Sequence, residues 1–135
     1  MSYMNSVVAR AVLCMVAVSG SCEYALAQDY PVKPIRFIAP NLPGGPTDIL
    51  ARIIAQKLSD GLGQPVVVEN RAGAAGNIGT EVAAKSPPDG YTLLSGNVAT
   101  FGANVSLYKR LGFDPVKDFA PVVLVATQPN ILVVH

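Results

Sequence analysis

Two glycine-rich stretches contain the residues best suited to bind a ligand. The stretch "NLPGGPTD" (41–48) follows one short apolar run, and "RAGAAGN" (71–77) follows another. Glycines such as Gly44 and Gly45 permit positive φ and a close approach of the backbone, and Pro46 or Thr47 can begin a helix. The free amides of a helix N-terminus bind anions without a basic side chain. The two stretches therefore predict a site for a carboxylate or phosphate.

A third stretch, "SGNVAT" (95–100), is a candidate for a further donor-rich turn beside the first two. Each stretch also has a purely structural interpretation, because glycine and proline commonly close short connections between strands and helices. The anion-site hypothesis therefore depends on the three turns lying at one edge of the same sheet.

Nucleotide and catalytic motifs are incomplete in this sequence. The segment "GGPTD" (44–48) lacks the Gly-Lys-Ser/Thr of a P-loop, and "GAAGNIG" (73–79) has the wrong glycine spacing for a dinucleotide fingerprint. The single histidine, His135, is the last residue. Asp48 fits a catalytic acid less well than a helix-start carboxylate favoured by the helix dipole. We therefore expect no enzyme activity, no cofactor and no metal site.

Residues 1–27 have the features of a signal peptide for secretion. Arg10 precedes an apolar core over residues 11–18, and Ala25-Leu26-Ala27 has the A-x-A pattern of a cleavage site. A membrane anchor is the alternative, but the apolar run is shorter than the ~20 residues of a spanning helix. Both cysteines, Cys14 and Cys22, lie in this segment. A lipid-modified Cys22 is a weaker alternative, because the usual preceding aliphatic residue is absent.

Composition limits the remaining possibilities. The chain has 135 residues, 50% of them hydrophobic, and a formal net charge of +1. Its length and apolar content are those of one ordinary domain rather than a disordered tail. Because the basic residues are few and scattered, nucleic acid is disfavoured as a partner.

The apolar pattern of the predicted exported chain alternates strands with helices. Such alternation indicates a parallel sheet covered on both faces, with ligands at the carboxyl ends of the strands. Leu50, Ile53, Ile54 and Leu58 predict a helix that ends at Gly61 or Gly63, and Asn77–Ser86 predicts a second. The predicted strands are Pro34–Ala39, Pro65–Asn70, Tyr91–Gly96, Phe119–Ala126 and Ile131–His135.

Two long segments resemble a known family. Residues 30–97, with "FIAPNLPGGPTD" and "VVVENRAGAAGNIG", and residues 106–126, "SLYKRLGFDPVKDFAPVVLVA", are similar to the N-terminal part of the Bug, or tripartite tricarboxylate transporter, receptors. The resemblance implies a periplasmic-binding-protein (type II-like) α/β lobe, with a mostly parallel sheet flanked by helices and an incomplete second lobe. It also implies a periplasmic receptor, not an enzyme, that closes on a small carboxylate and delivers it to a membrane permease.

The resemblance also assigns ligand residues and leaves the ligand open among dicarboxylates, tricarboxylates, amino acids and aromatic acids. Asn41, Ala72 and Val105 depart from the residues usual in the family. The implied ligand residues, with the third turn added, are Pro43, Gly44, Gly45, Thr47, Asp48, Gly73, Ala74, Ala75, Gly76, Asn77, Gly96 and Asn97.

Similar receptors are considerably longer than this chain. We therefore expect residues 28–128 to form part of a first lobe and residues 129–135 to begin the crossover to a second. This expectation leaves a second function open, in which the chain is a non-binding remnant or an exported structural domain.

The signal-peptide hypothesis predicts cleavage before Gln28, because Ala25 and Ala27 provide the small side chains that signal peptidase requires. Mass spectrometry of a periplasmic extract should detect a chain that begins at Gln28. A cytoplasmic product that retains Met1 would contradict the hypothesis.

Overall fold

The structure is a computed structural model that describes residues 29–127. The predicted signal peptide, the predicted crossover and the predicted strand Ile131–His135 lie outside the described residues. Within them, three strands alternate with helices and two short helical turns. The elements are β1 (Ile35–Ala39), α1 (Pro46–Leu62), β2 (Val66–Asn70), a 3₁₀ turn (Ala74–Gly76), α2 (Asn77–Ala84), β3 (Thr92–Leu94), a π-helical turn (Ala99–Ala103) and α3 (Asn104–Leu107).

The three strands form one parallel sheet in the order β2-β1-β3. Phe37 of the central strand is level with Val68 of β2 and Leu93 of β3. The sequence prediction of a parallel sheet is therefore confirmed. β1 is central because it is the most apolar of the three strands, and Ile35, Ile38 and Ala39 are at most 1% exposed.

Helix α1 begins and ends where its sequence predicts. Pro46 occupies the first turn, where its fixed φ fits the helix and its missing N–H costs no hydrogen bond. Gly63 ends the helix with φ at 68°, and its N–H donates to the Ser59 carbonyl at 3.0 Å. This left-handed cap is the common use of glycine after a helix.

The two longer helices cover opposite faces of the sheet. Phe37 and Ala39 pack against Ala51 and Ala55 of α1. The intervening Ile38 points to the other face and is fully buried, and α2 packs against β1 and β3. Because β2 and β3 lie on opposite sides of β1, two right-handed crossovers require helices on opposite faces. This double winding creates a crevice at the carboxyl end of β1, between the chains that leave β1 and β3.

Two expectations about burial and pairing are wrong. Within residues 29–127, β2 is an edge strand, and Val67 is half exposed, so the described helices do not cover both faces of the sheet at that strand. The predicted strand Phe119–Ala126 is absent from the described part of the chain, where Val122, Val123, Leu124 and Val125 are 50–83% exposed. Apolar β-branched residues fit a strand only when another strand pairs with them, and none of the described strands does so.

Aromatic side chains pack the segment that follows α3. The rings of Phe101 and Phe113 both meet that of Phe119 edge to face, with centroids 5.1 and 6.0 Å away. The Asp114 carboxylate accepts hydrogen bonds from the N–H groups of Val116 and Lys117. Residues 113–119 therefore form a packed turn. Within residues 29–127, no helix combines the length and the apolar character needed to cross a membrane.

Two helical glycines should respond in opposite ways to alanine. A Cβ at Gly79 of α2 would lie 2.5 Å from the Arg71 carbonyl oxygen and 2.9 Å from the Cα of Pro40. A Cβ at Gly61 of α1 would meet nothing within 4 Å. Gly79→Ala should therefore lower the free energy of unfolding by about 1–3 kcal/mol, whereas Gly61→Ala should raise it by about 0.5–1 kcal/mol. Urea unfolding measures both changes, and equal stabilisation by both would contradict the close contact at Gly79.

Candidate ligand-binding cleft

The loop after β1 turns through a left-handed residue before α1 begins. Gly44 has φ at 82°, which favours glycine, but Gly45 has φ at −77° and ψ at 166°. The expectation of positive φ is therefore confirmed for Gly44 and wrong for Gly45. The second glycine is in extended backbone because it is the N-cap of α1, a position that normally has such dihedral angles.

A buried carboxylate holds this loop in place. Asp48, in the first turn of α1, is 3% exposed. Its Oδ2 accepts hydrogen bonds from the N–H of Gly44 at 2.9 Å and from Arg52 Nε at 3.0 Å. Its Oδ1 accepts one from Asn70 Nδ2 at 2.8 Å. The Arg52 guanidinium first, then the Gly44 amide and the Asn70 side chain, lower the pKa of Asp48 to about 2.

The Asp48 contacts join three elements: the loop after β1, helix α1 and the end of β2. The Asn70 amide extends the link, because its Nδ2 lies 3.3 Å from the Asn41 carbonyl oxygen and its Oδ1 accepts from Arg52 Nη2 at 3.0 Å. Because protein donors engage both Asp48 oxygens, we infer a positioning role for this residue. This agrees with the helix-start interpretation of its carboxylate.

The loop after β2 contains a left-handed turn of unusual length. Gly73, Ala74, Ala75 and Gly76 have φ of 132°, 46°, 54° and 91°. Alanine disfavours this region by roughly 1–2 kcal/mol per residue, so contacts elsewhere must stabilise the turn. One is the bond from the Gly76 N–H to the Gly73 carbonyl at 2.9 Å. Gly76 is buried, and a Cβ there would lie 2.7 Å from Thr100 Cγ2.

Asn104 provides the main side-chain support for the left-handed turn. This residue of α3 is 2% exposed, and its Nδ2 donates to the Ala75 carbonyl at 3.1 Å and to Asn77 Oδ1 at 2.7 Å. Sequence analysis did not include Asn104 among the site residues. Its partners are 27 and 29 positions away, so no local spacing identifies it.

The loop after β3 is organised by Asn97. Its Oδ1 accepts hydrogen bonds from the N–H groups of Ala99 at 2.9 Å and Thr100 at 3.1 Å, which caps the following helical turn. Its Nδ2 lies 3.3 Å from Asn41 Oδ1, in the loop after β1. Gly96 has a packing role, since a Cβ there would lie 2.7 Å from Cε2 of Phe101.

The loops after β1 and β2 enclose an open cleft of about 550 Å³. Half of the predicted ligand residues line it. Thr47, Asp48, Ala74, Asn77, Gly96 and Asn97 are not among the lining residues, and ligand contact by any of the predicted residues stays a prediction. The lining consists of Pro40, Asn41, Leu42, Pro43, Gly44, Gly45, Ala72, Gly73, Ala75 and Gly76.

Backbone amides are the main donors available in the cleft. Asp48 engages the N–H of Gly44, but the N–H groups of Gly45 and Ala75 have no hydrogen-bond partner among residues 29–127. Among the described residues, no basic side chain lines the cleft, and Gly45 lies at the positive end of the α1 dipole. The arrangement suits an anion that accepts hydrogen bonds from uncharged donors.

Solved structures place this architecture among the periplasmic binding proteins. MatC from Rhodopseudomonas palustris, solved with bound malate, is 42% identical with a TM-score of 0.68, and the match covers 71% of this chain and 33% of MatC. A second R. palustris protein, solved with adipate, is 41% identical with a TM-score of 0.63, covering 64% of this chain and 29% of that one. The predicted fold class, an α/β lobe of a periplasmic binding protein, is confirmed.

The family follows from sequence as well. The model of the tripartite tricarboxylate transporter family receptor matches residues 50–135. Protein BugT of Bordetella pertussis is 46% identical over 121 residues, which are 89% of this chain and 37% of BugT. The chain belongs to the tripartite tricarboxylate transporter receptor family, and it spans about a third of the length of the curated relatives it matches. The family is one of periplasmic solute-binding receptors rather than a class of enzymes.

The three hydrogen-bond donors around Asp48 predict that the free energy of unfolding falls in acid. Because the folded pKa is below the ordinary value of 3.8, the stabilisation is complete above pH about 4 and is lost as the pH falls towards 2. Asp48→Asn should lower stability at pH 7, because the amide nitrogen must face a donor. Its unfolding free energy should then approach that of the wild type near pH 2.

Asp60→Asn is the matched control, since it makes the same charge change on α1, where Asp60 is exposed and its side chain has Gln56 as its one hydrogen-bond partner among residues 29–127. Chemical unfolding at several pH values measures all three proteins. A constant difference between wild type and Asp48→Asn from pH 7 to pH 2 would contradict the role given to the Asp48 carboxylate.

Proposed function

We propose that this chain provides a ligand-binding face of a periplasmic receptor that captures a small carboxylate and delivers it to the membrane permease of a tripartite tricarboxylate-type transporter. The segment 1–27 would direct the chain to the periplasm. Membership of the receptor family supports the general role. Capture without chemical conversion agrees with a cleft whose free donors are backbone amides.

Several N–H groups of the cleft lining have no hydrogen-bond partner among residues 29–127, among them those of Gly45 and Ala75, and this observation carries the proposal. An N–H group without a partner has a cost unless water or a ligand satisfies it, so an open cleft lined by such groups suits a ligand with acceptor oxygens. Asp48, the carboxylate nearest to this loop, is neutralised by Arg52 at 3.0 Å and does not line the cleft. An anionic ligand therefore meets donors and the α1 dipole without a facing negative charge.

Carboxylates are favoured over other anions by the relatives. One structural neighbour was solved with malate and another with adipate, and both ligands are dicarboxylates. Uncharged amides arranged around an open cleft can hydrogen-bond a planar carboxylate while the rest of the ligand extends beyond them.

A matched pair of variants isolates the Gly45 amide. Gly45→Pro removes the N–H, and the φ of −77° is one that proline adopts. Gly45→Ala keeps the N–H, and its new Cβ would approach only the Leu42 carbonyl at 3.6 Å. For a carboxylate, Gly45→Pro should weaken binding about 10-fold or more, the value of one hydrogen bond to a charged group, whereas Gly45→Ala should bind like the wild type.

Malate and adipate can be titrated into the ¹⁵N-labelled chain while the amide chemical shifts are recorded. This measurement detects weak as well as tight binding. The backbone signals of Gly45 and Ala75 should be among those that move. If neither acid moves them, the competing hypothesis of a non-binding exported domain is favoured.

A further inference from the structure

Among residues 29–127, Asn41 is the one residue with a polar side chain that lines the cleft. Asn41 follows β1 by one residue, Pro40, in the loop that forms one side of the cleft. An asparagine amide presents either a donor or an acceptor to its surroundings, depending on which of its two ends faces them. The identity of the exposed end therefore determines which ligands Asn41 favours.

A chain of hydrogen bonds fixes the orientation of the Asn41 amide. The N–H groups of Ala99 and Thr100 can only donate, so the Asn97 atom that they contact at 2.9 and 3.1 Å must be Oδ1. The other end of the Asn97 amide is then Nδ2, which lies 3.3 Å from Asn41. Because Nδ2 donates, the Asn41 atom that it contacts must be Oδ1.

The side-chain nitrogen of Asn41, Nδ2, is therefore the end of the amide that does not contact Asn97. Asn41 Nδ2 has no hydrogen-bond partner among residues 29–127. Every buried side-chain nitrogen or oxygen in that range does have a partner. The nitrogen must consequently be in contact with solvent. The backbone of Asn41 is also held, since its carbonyl accepts from Asn70 Nδ2 at 3.3 Å.

We propose that Asn41 is a specificity-determining residue of the cleft, whose Nδ2, held outward by Asn97, selects ligands with a second oxygen acceptor over acids with an aliphatic tail. The inference rests on the proposed function, because it assumes that a first carboxylate binds the free amides of Gly45 and Ala75. A second carboxylate gains most from this donor, since hydrogen bonds to charged acceptors are the stronger ones. Asn97 acts as a positioning residue.

Succinate and butyrate are suitable probes because both have four carbons and only succinate has a second carboxylate. The preference is the ratio of the two dissociation constants, measured by chemical-shift titration of the full chain. Asn41→Leu removes the donor at nearly constant size. It should weaken succinate binding about tenfold and leave butyrate binding unchanged, so the preference for succinate should fall about tenfold.

Asn97→Asp tests the orientation without touching Asn41. An aspartate still accepts from the N–H groups of Ala99 and Thr100, so the helix cap is retained. Its second oxygen requires a donor, so the Asn41 amide should turn, direct Nδ2 to residue 97 and present Oδ1 to the cleft. The preference for succinate should fall at least as far as in Asn41→Leu. Val98→Asp places the same charge on a 78% exposed neighbour and measures the effect of charge alone.

Side-chain amide exchange gives a readout without ligand. The Asn41 NH₂ protons should exchange rapidly with water in the wild type and more slowly in Asn97→Asp, where they become hydrogen-bonded. Equal exchange in the two proteins, or an unchanged preference in Asn41→Leu, would overturn this inference alone. A wild-type chain that binds neither succinate, butyrate, malate nor adipate would overturn the proposed function and this inference with it.

Discussion

A backbone amide that is to receive a ligand cannot also hold its own loop together. The loops of this protein meet that constraint by using side chains for support. Asp48 engages the N–H of Gly44, while that of Gly45 has no partner among residues 29–127. Asn104 binds the carbonyl of Ala75, whose N–H likewise has no partner in that part of the chain. Because the supporting groups lie behind the loops, the donors at the cleft stay available while the backbone keeps one conformation.

The strands and helices that carry these loops could be predicted from the sequence where local signals are strong. Prolines and glycines delimit β1 and α1 within a few positions, because Pro46 fits a first helical turn and Gly63 a left-handed cap. The parallel sheet followed from the alternation of apolar runs. The placement of the cleft followed from the general rule that ligands bind at the carboxyl ends of such strands.

The rest depended on contacts between residues that are distant in sequence. Nothing local indicates that Asn104 meets Ala75, or that Ala74 and Ala75 adopt positive φ where glycine is the ordinary choice. The segment 119–126 has the composition of a strand, but a strand also requires a neighbour, and composition does not report one. Gly45 differed from expectation because the N-cap position, rather than the residue type, fixed its backbone angles.

The contact between Pro40 and the start of α2 has a consequence for binding entropy. Gly79 lacks a side chain, so the helix backbone lies directly on Pro40. The segments after β1 and β2 are therefore in direct contact at Pro40, in addition to the hydrogen bond from Asn70 Nδ2 to the Asn41 carbonyl, and we expect them to move together. A ligand that enters between them has little loop motion to freeze, so more of its hydrogen-bond energy remains as affinity. Rigid walls of this kind also make the spacing of the donors, rather than the adaptability of the loops, the feature that a ligand must match.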